Sequence, residues 1–144
     1  NGRAHLRAIL ESHWPLDIVI ISLGTNDLKT RHGVSAFDIA ASVGTLVDLV
    51  RATPMRGNPT PKILVIAPPP ILEAGWLADM FAGGQVKSEM LGQFIARMAA
   101  ARQVACLDLA PIARVSPIDG IHFDEATHHA IGAAVHKAIL PLLS

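Results

Sequence analysis

The stretch Asp17-Ile18-Val19-Ile20-Ile21-Ser22-Leu23-Gly24-Thr25-Asn26-Asp27 decides the fold of this chain. Its first half is an apolar, β-branched run, which predicts a buried parallel strand. Its second half is polar, so the strand ends in side chains that a ligand can reach. Because open α/β sheets bind ligands beyond the carboxyl ends of their strands, we expect a functional site at this edge.

A second polar segment, Asp119-Gly120-Ile121-His122, follows another apolar run near the end of the chain. The first segment offers an amide at Asn26, and the second offers a carboxylate three residues before an imidazole. Such groups are parts of an acyl-transfer site. His122 is the best candidate for the general base, and Asp119 for the carboxylate that fixes its tautomer.

The two segments together resemble the SGNH, or GDSL, family of serine esterases and lipases, most closely its arylesterase/acyltransferase branch. The resemblance covers residues 1–144. It is supported by three further stretches: Pro15-Leu16-Asp17, Ile66-Ala67-Pro68-Pro69-Pro70 and Phe81-Ala82-Gly83-Gly84. The family has four sequence blocks, and this chain shows the last two. Its Gly-Asp-Ser block, with the nucleophile, and its block-two Gly are not found here.

A fixed amide at Asn26 can donate to the oxygen that gains negative charge during acyl transfer. In the family this Asn shares the oxyanion hole with backbone N–H groups of the serine and the block-two Gly. Gly24 is expected to serve the backbone conformation, and Asp27 to brace the loop. An apolar acyl or aryl pocket is suggested by four residues that fit a core or an oligomer interface equally well: Ile71, Trp76, Phe81 and Ile121.

Hydrophobic periodicity predicts alternating helices and strands. The helices are expected at 3–13, with Asn1 as cap, at 36–51, at 85–102, and from about Asp124, which caps the last one. The strands are expected at 17–22, 62–67 and 103–109. Ser35 and Asp38 are spaced as a capping box. Residues 52–61 read as a surface loop, and 71–84 as a short helix or flap beside the site.

Three strands are few for a parallel sheet, which is normally covered on both faces. The resemblance implies a three-layer α/β/α, flavodoxin-like (SGNH hydrolase) fold with a five-stranded parallel sheet in the order 2-1-3-4-5. This chain would supply the last three strands. We therefore expect residues 1–144 to be the carboxyl-terminal part of a single domain, with an exposed sheet edge at 17–22.

Alternative sites are less well supported. Ser22 lies in a strand without the strained turn that exposes a nucleophile, and nothing near Ser116 in the sequence would activate it. The other serines read as helix, cap or surface positions: Ser12, Ser35, Ser42, Ser88 and Ser144. A metal cluster of His122, Asp124, His128 and His129 is disfavoured, because His128 and His129 point to different sides of a helix.

The composition limits which partners and which compartment are expected. Acidic and basic residues are equal in number, giving a formal net charge of zero, so nucleic acid is not expected. No apolar stretch approaches the roughly 20 residues needed to span a bilayer, so no membrane partner is expected either. The lone Cys106, in an apolar strand pattern, is expected to pack as a small hydrophobe. The compartment stays open, with the cytoplasm slightly favoured.

We therefore expect a carboxylic ester hydrolase for short-chain acyl or aryl esters, with acyl transfer to alcohols as a second outcome. It needs no cofactor. Its partners are a small-molecule ester, an amino-terminal segment or chain carrying the nucleophilic Ser, and further copies in a homo-oligomer. Residues 1–144 alone should be inactive. The alternative is a non-catalytic fragment or pseudo-enzyme subunit that binds a partner through its open sheet edge.

Overall fold

Three parallel strands form the sheet, in the order β1-β2-β3. They are β1, Ile18–Ser22; β2, Lys62–Ala67; and β3, Ala105–Asp108. The computed structural model describes residues 2–143, so the predicted cap Asn1 and Ser144 lie outside the described residues. Ser22 is paired with Ile66, and Ala67 with Asp108. All three strands therefore finish at one edge of the sheet.

Within the part of the chain that the structure describes, four α-helices flank the sheet: α1, Gly2–Ser12; α2, Ala36–Ala52; α3, Gly84–Ala101; and α4, Glu125–Ile139. Short 3-10 segments occupy Thr25–Leu28, Thr30–His32, Gly75–Phe81 and Leu140–Leu142. The predicted helices and strands are all present, with small shifts at their ends. Within residues 2–143 no helix is both long enough and apolar enough to cross a membrane.

The largest boundary difference is at the start of β3, predicted at residue 103 and found at Ala105. Gln103 and Val104 lie in the turn that follows α3 instead. Their backbone N–H groups donate to the carbonyl oxygens of Ala100 and Ala99, at 3.0 and 3.1 Å. The apolar side chain of Val104 led the sequence pattern to include it in the strand. Its backbone N–H is instead bonded to the last turn of α3.

Side-chain caps mark the starts of α2 and α4. The Ser35 hydroxyl accepts the Asp38 backbone N–H at 3.1 Å, and the Asp38 carboxylate accepts the Ser35 N–H at 3.1 Å. This is the predicted capping box of α2. The Asp124 carboxylate accepts the Thr127 N–H at 2.8 Å and caps α4, as predicted.

Two apolar clusters cover the two faces of the sheet, giving three layers. One lies between the sheet and helices α1, α2 and α3, and includes Val65 and Ile95. The other joins β2 to α4, where Ile131, Val135 and Ile139 of the helix, and Leu142 just after it, pack against the buried residues. Cover on this second face is partial, because Ile20 of β1 is 44% exposed.

The packing prediction for Cys106 is wrong. Cys106 is exposed, because β3 is an edge strand of the described sheet, although its side chain lies on the same sheet face as that of its pairing partner Val65. Periodicity identified the strand correctly but could not tell an edge strand from a central one.

We predict that Leu64→Ala in the complete natural protein lowers the free energy of unfolding by about 2–5 kcal/mol, as truncation of a buried Leu usually does. The Leu64 side chain is fully buried, at 0% exposure, between β2 and α4. Urea denaturation measures the loss. Leu143→Ala is the control, since that side chain is 62% exposed and its truncation should change stability little. Equal losses for the two variants would contradict the described packing.

Candidate active site

The Asp119 carboxylate shapes the turn that carries His122. One oxygen, Oδ1, accepts the backbone N–H groups of Ile121 and His122 at 2.9 and 3.0 Å. The other, Oδ2, lies 2.6 Å from Nδ1 of the His122 ring. The Asp119 side chain is only 13% exposed, whereas that of His122 is 69% exposed. The imidazole is therefore held from one side and open on the other.

These hydrogen bonds lower the pKa of Asp119 from 3.8 to about 2, the largest cause being the backbone N–H of His122, followed by its ring and the N–H of Ile121. An ionised carboxylate can only accept hydrogen bonds. The His122 ring must therefore donate its Nδ1–H to Asp119. In the neutral ring, Nε2 then carries a lone pair on the exposed side.

Backbone hydrogen bonds close the same turn. The Ser116 N–H donates to the His122 carbonyl at 2.7 Å, and the Gly120 N–H donates to the Ser116 carbonyl at 2.8 Å. A third bond joins the turn to a distant segment, since the Leu72 N–H donates to the Gly120 carbonyl at 2.9 Å. No sequence pattern points to Leu72, because this contact passes through backbone atoms.

The second polar turn follows β1. Gly24 has a φ of +129°, which side-chain-bearing residues rarely adopt, and the chain then enters the 3-10 segment Thr25–Leu28. The positive φ agrees with the backbone role predicted for Gly24. The Asp27 backbone N–H donates to the Gly24 carbonyl at 3.1 Å. Asn26 is exposed, while Leu28 is fully buried beneath it.

A cleft of about 720 Å³ opens beside the second turn, lined by Asn26 and Asp27 together with Leu23, Arg31 and His32. Asp119 and His122 are not among its lining residues. The structure thus brings Asp119, Ile121 and His122 together in one turn, and Asn26 with Asp27 in another. Both turns lie beyond the carboxyl ends of the strands. The roles of Asn26, Asp119 and His122 in catalysis stay predictions.

The four residues proposed for an apolar pocket differ in exposure. Ile71 and Phe81 are each 1% exposed and pack in the core, Ile121 is half-buried, and Trp76 is 76% exposed. Of the four, Trp76 presents the largest free surface. Ile71 and Phe81 lie beneath the surface instead, where they support the segment that carries Trp76.

The residues of the alternative metal cluster make other interactions in the structure. Asp124 caps α4, Asp119 engages His122, and His129 lies 3.8 Å from Glu125. Within residues 2–143 no group of three or more His, Cys, Asp or Glu side chains is placed to hold a metal ion.

Comparison with known proteins identifies the family. The model of the GDSL-like lipase/acylhydrolase family matches residues 1–130. The chain belongs to this family. Its class of activity is accordingly that of an esterase or acylhydrolase. Among curated proteins, none matches the chain.

Solved structures agree with this assignment. Est24, a carbohydrate acetylesterase from Sinorhizobium meliloti, is 36% identical with a TM-score of 0.93, over 99% of this chain and 68% of that one. The M. smegmatis aryl esterase is 35% identical with a TM-score of 0.93, again over 99% and 68%. The lipase/acylhydrolase from Enterococcus faecalis shares the fold, at 18% identity and a TM-score of 0.70 over 96% and 68%. The predicted SGNH hydrolase fold is confirmed.

We predict that Asp119→Asn flattens the pH dependence of stability below pH 4 in the complete natural protein. Between the ordinary pKa of 3.8 and the folded value of about 2, the unfolded chain binds the proton more readily. Stability from this group is therefore complete above about pH 4 and is lost as pH falls toward 2. Urea denaturation from pH 6 to pH 3 should show a steeper loss for the wild type. Parallel curves would contradict the Asp119 hydrogen bonding.

Proposed function

We propose that this protein is a carboxylic ester hydrolase that acts on short-chain acyl or aryl esters by a Ser-His-Asp mechanism. In this proposal a segment outside residues 1–144 contributes the serine. The observation that carries the proposal is the Asp119–His122 pair, with Nδ1 held at 2.6 Å from the carboxylate and the rest of the ring exposed. That is the arrangement a general base needs.

His122 takes and returns the proton in this mechanism. With Nδ1–H donated to Asp119, the free Nε2 accepts the proton of a serine hydroxyl as that oxygen attacks the ester carbonyl. The imidazolium then protonates the leaving alcohol. Asp119 stabilises the imidazolium, and its low pKa of about 2 keeps it ionised at neutral pH. A water molecule activated by the same nitrogen completes hydrolysis.

Asn26 supplies a donor for the oxyanion. Its 3-10 turn contains the buried Leu28 and starts from the unusual backbone conformation of Gly24, which supports a fixed backbone position for Asn26. A donor that is fixed before the reaction needs no reorganisation when charge develops on the carbonyl oxygen. Asp27 contributes through its backbone bond to Gly24 and lies outside the chemistry.

Local hydrogen bonds occupy four serine hydroxyls. Ser12 donates to Ile9, Ser35 caps α2, Ser88 is buried against Gln85, and Ser116 accepts the Ile118 N–H at 3.2 Å. Ser22 is exposed at the end of β1, but it lies within a regular strand. These observations support a nucleophile from another segment. The exposed Ile20 and the edge of β1 offer a place for that segment to pack.

The proposed substrates follow from the surface beside His122. Trp76 and Ile118, 76% and 78% exposed, are large apolar side chains at the contact between Gly75 and the Ile118 carbonyl. They suit a short acyl or aryl group. The acetylesterase and aryl esterase among the similar structures favour the same substrates.

Acyl transfer would compete with hydrolysis where an apolar pocket admits an alcohol and excludes water. Assembly into a homo-oligomer stays a prediction.

We predict that His122→Ala in the complete natural protein lowers kcat for p-nitrophenyl acetate by on the order of 10²–10⁴-fold, the usual contribution of a general acid–base group. Ser22→Ala is the control and should keep wild-type turnover. Near-normal turnover by His122→Ala would overturn the proposed function. A loss confined to Ser22→Ala would instead identify Ser22 as the nucleophile.

We predict that Asn26→Ala lowers kcat by on the order of 10²–10³-fold while KM changes little, because the amide acts mainly in the transition state. Steady-state kinetics separate the two parameters. A variant whose only defect is a raised KM would show that Asn26 contacts the substrate and is not an oxyanion donor. A variant that loses only thermal stability would show that it braces the loop.

A further inference from the structure

A segment of the chain, Ile71–Ala82, lies against the turn that carries Asp119 and His122. We call it the connecting segment. Besides the bond from the Leu72 N–H to the Gly120 carbonyl, its backbone is in direct contact with the turn. A Cβ atom on Gly120 would lie 2.0 Å from the Leu72 carbonyl oxygen. One on Gly75 would lie 1.9 Å from the Ile118 carbonyl oxygen. Only glycine permits so close an approach at either position.

The other end of the connecting segment is joined to the region that follows Asn26. The Thr30 hydroxyl donates to the Ala82 carbonyl at 2.9 Å, and the Lys29 ammonium lies 5.6 Å from the centre of the Phe81 ring. The segment therefore spans both polar turns. It contacts the Asp119 turn directly and, at its other end, the residues that follow the Asn26 turn.

Helix α3 holds the connecting segment in place. The Ser88 hydroxyl accepts the Ile71 N–H at 3.0 Å and donates to the Gln85 carbonyl at 2.6 Å. Ser88 is 3% exposed, so these bonds are shielded from water. At the rim, the Glu73 N–H donates to the Gln85 side chain at 3.2 Å, and the Gln85 N–H donates to the Glu73 carboxylate at 3.1 Å.

We propose that Ser88 is a positioning residue for the acyl-transfer site, acting through the connecting segment. Its hydroxyl fixes Ile71, the next residue bonds Gly120, and Gly120 adjoins the carboxylate that orients His122. Without the hydroxyl, the buried Ile71 N–H loses its partner, which favours a shift of the segment. The inference rests on the proposed function, since Ser88 affects rate only if His122 and Asn26 do. A displacement of a catalytic group by about 1 Å can cost on the order of 10²-fold in rate.

The test compares Ser88→Ala with Thr53→Val in the complete natural protein. Thr53 is a matched control, because it is 5% exposed, its hydroxyl donates to the Leu49 carbonyl at 2.8 Å, and it lies at the end of α2. We expect Ser88→Ala to lower kcat for p-nitrophenyl acetate about tenfold with little change in KM, and Thr53→Val to change neither. Gln85→Ala, at the exposed rim, should lower kcat about threefold by the same route.

A second readout follows the positioning itself. The Nδ1 proton that His122 shares with Asp119 gives a low-field proton NMR signal, which His122→Ala assigns. We expect this signal to be sharp in the wild type and in Thr53→Val, and broadened or shifted in Ser88→Ala and Gln85→Ala. Loss of global stability alone would not move it while the protein stays folded.

Each outcome decides one question. If folded Ser88→Ala and Gln85→Ala keep wild-type kcat and an unchanged signal, the positioning proposal is overturned. An equal loss of kcat in Thr53→Val would also overturn it, because the effect would then be general. If Ser88→Ala does not fold, Gln85→Ala decides by the same two readouts. Full activity of His122→Ala overturns the proposed function instead, and the NMR signal still tests the coupling between Ser88 and the turn.

Discussion

Parallel pairing of β2 with both of its neighbours is the constraint on which the rest of the structure depends. From Ile63 to Ala67 this strand is buried, with side chains committed to opposite faces. A slip of one residue would exchange those faces, so burial fixes the register. Parallel strands in a fixed register end together. The turn after β1 and the loop after β3 are therefore brought to one edge without any direct attraction between them.

Asp119 links the shape of the site to its electrostatics. The two backbone N–H groups that it accepts define the turn, and these bonds, together with the bond to the His122 ring, lower its pKa to about 2. The group that builds the loop is thus also the group that keeps a negative charge beside His122. At this spacing of three residues, one carboxylate reaches both the backbone N–H groups and the His122 ring.

The sequence was sufficient to place the helices and strands, apart from small shifts at their ends such as the start of β3. Periodicity identified each helix and strand, and the motifs identified Asn26, Asp119 and His122 as candidates. It failed where a long-range partner decides the outcome. Cys106 lies on an edge strand and is exposed. Ser88 reads as an ordinary helix position, yet it is buried under Ile71. Local pattern carries no information about which distant backbone N–H group will donate a hydrogen bond to that hydroxyl.

The contact between the connecting segment and the Asp119 turn is made by main-chain atoms, while Trp76 and Ile118 extend from it into solvent. In the proposed function, the frame and the surface that recognises the acyl group are therefore separate sets of atoms. Within this proposal, a substitution at Trp76 or Ile118 can alter which acyl groups are accepted without disturbing the frame. A side chain added at Gly75 or Gly120 would instead clash with backbone atoms of the frame. Such a division makes the fold easy to diversify, and it marks two side chains as natural points of entry for engineering substrate range.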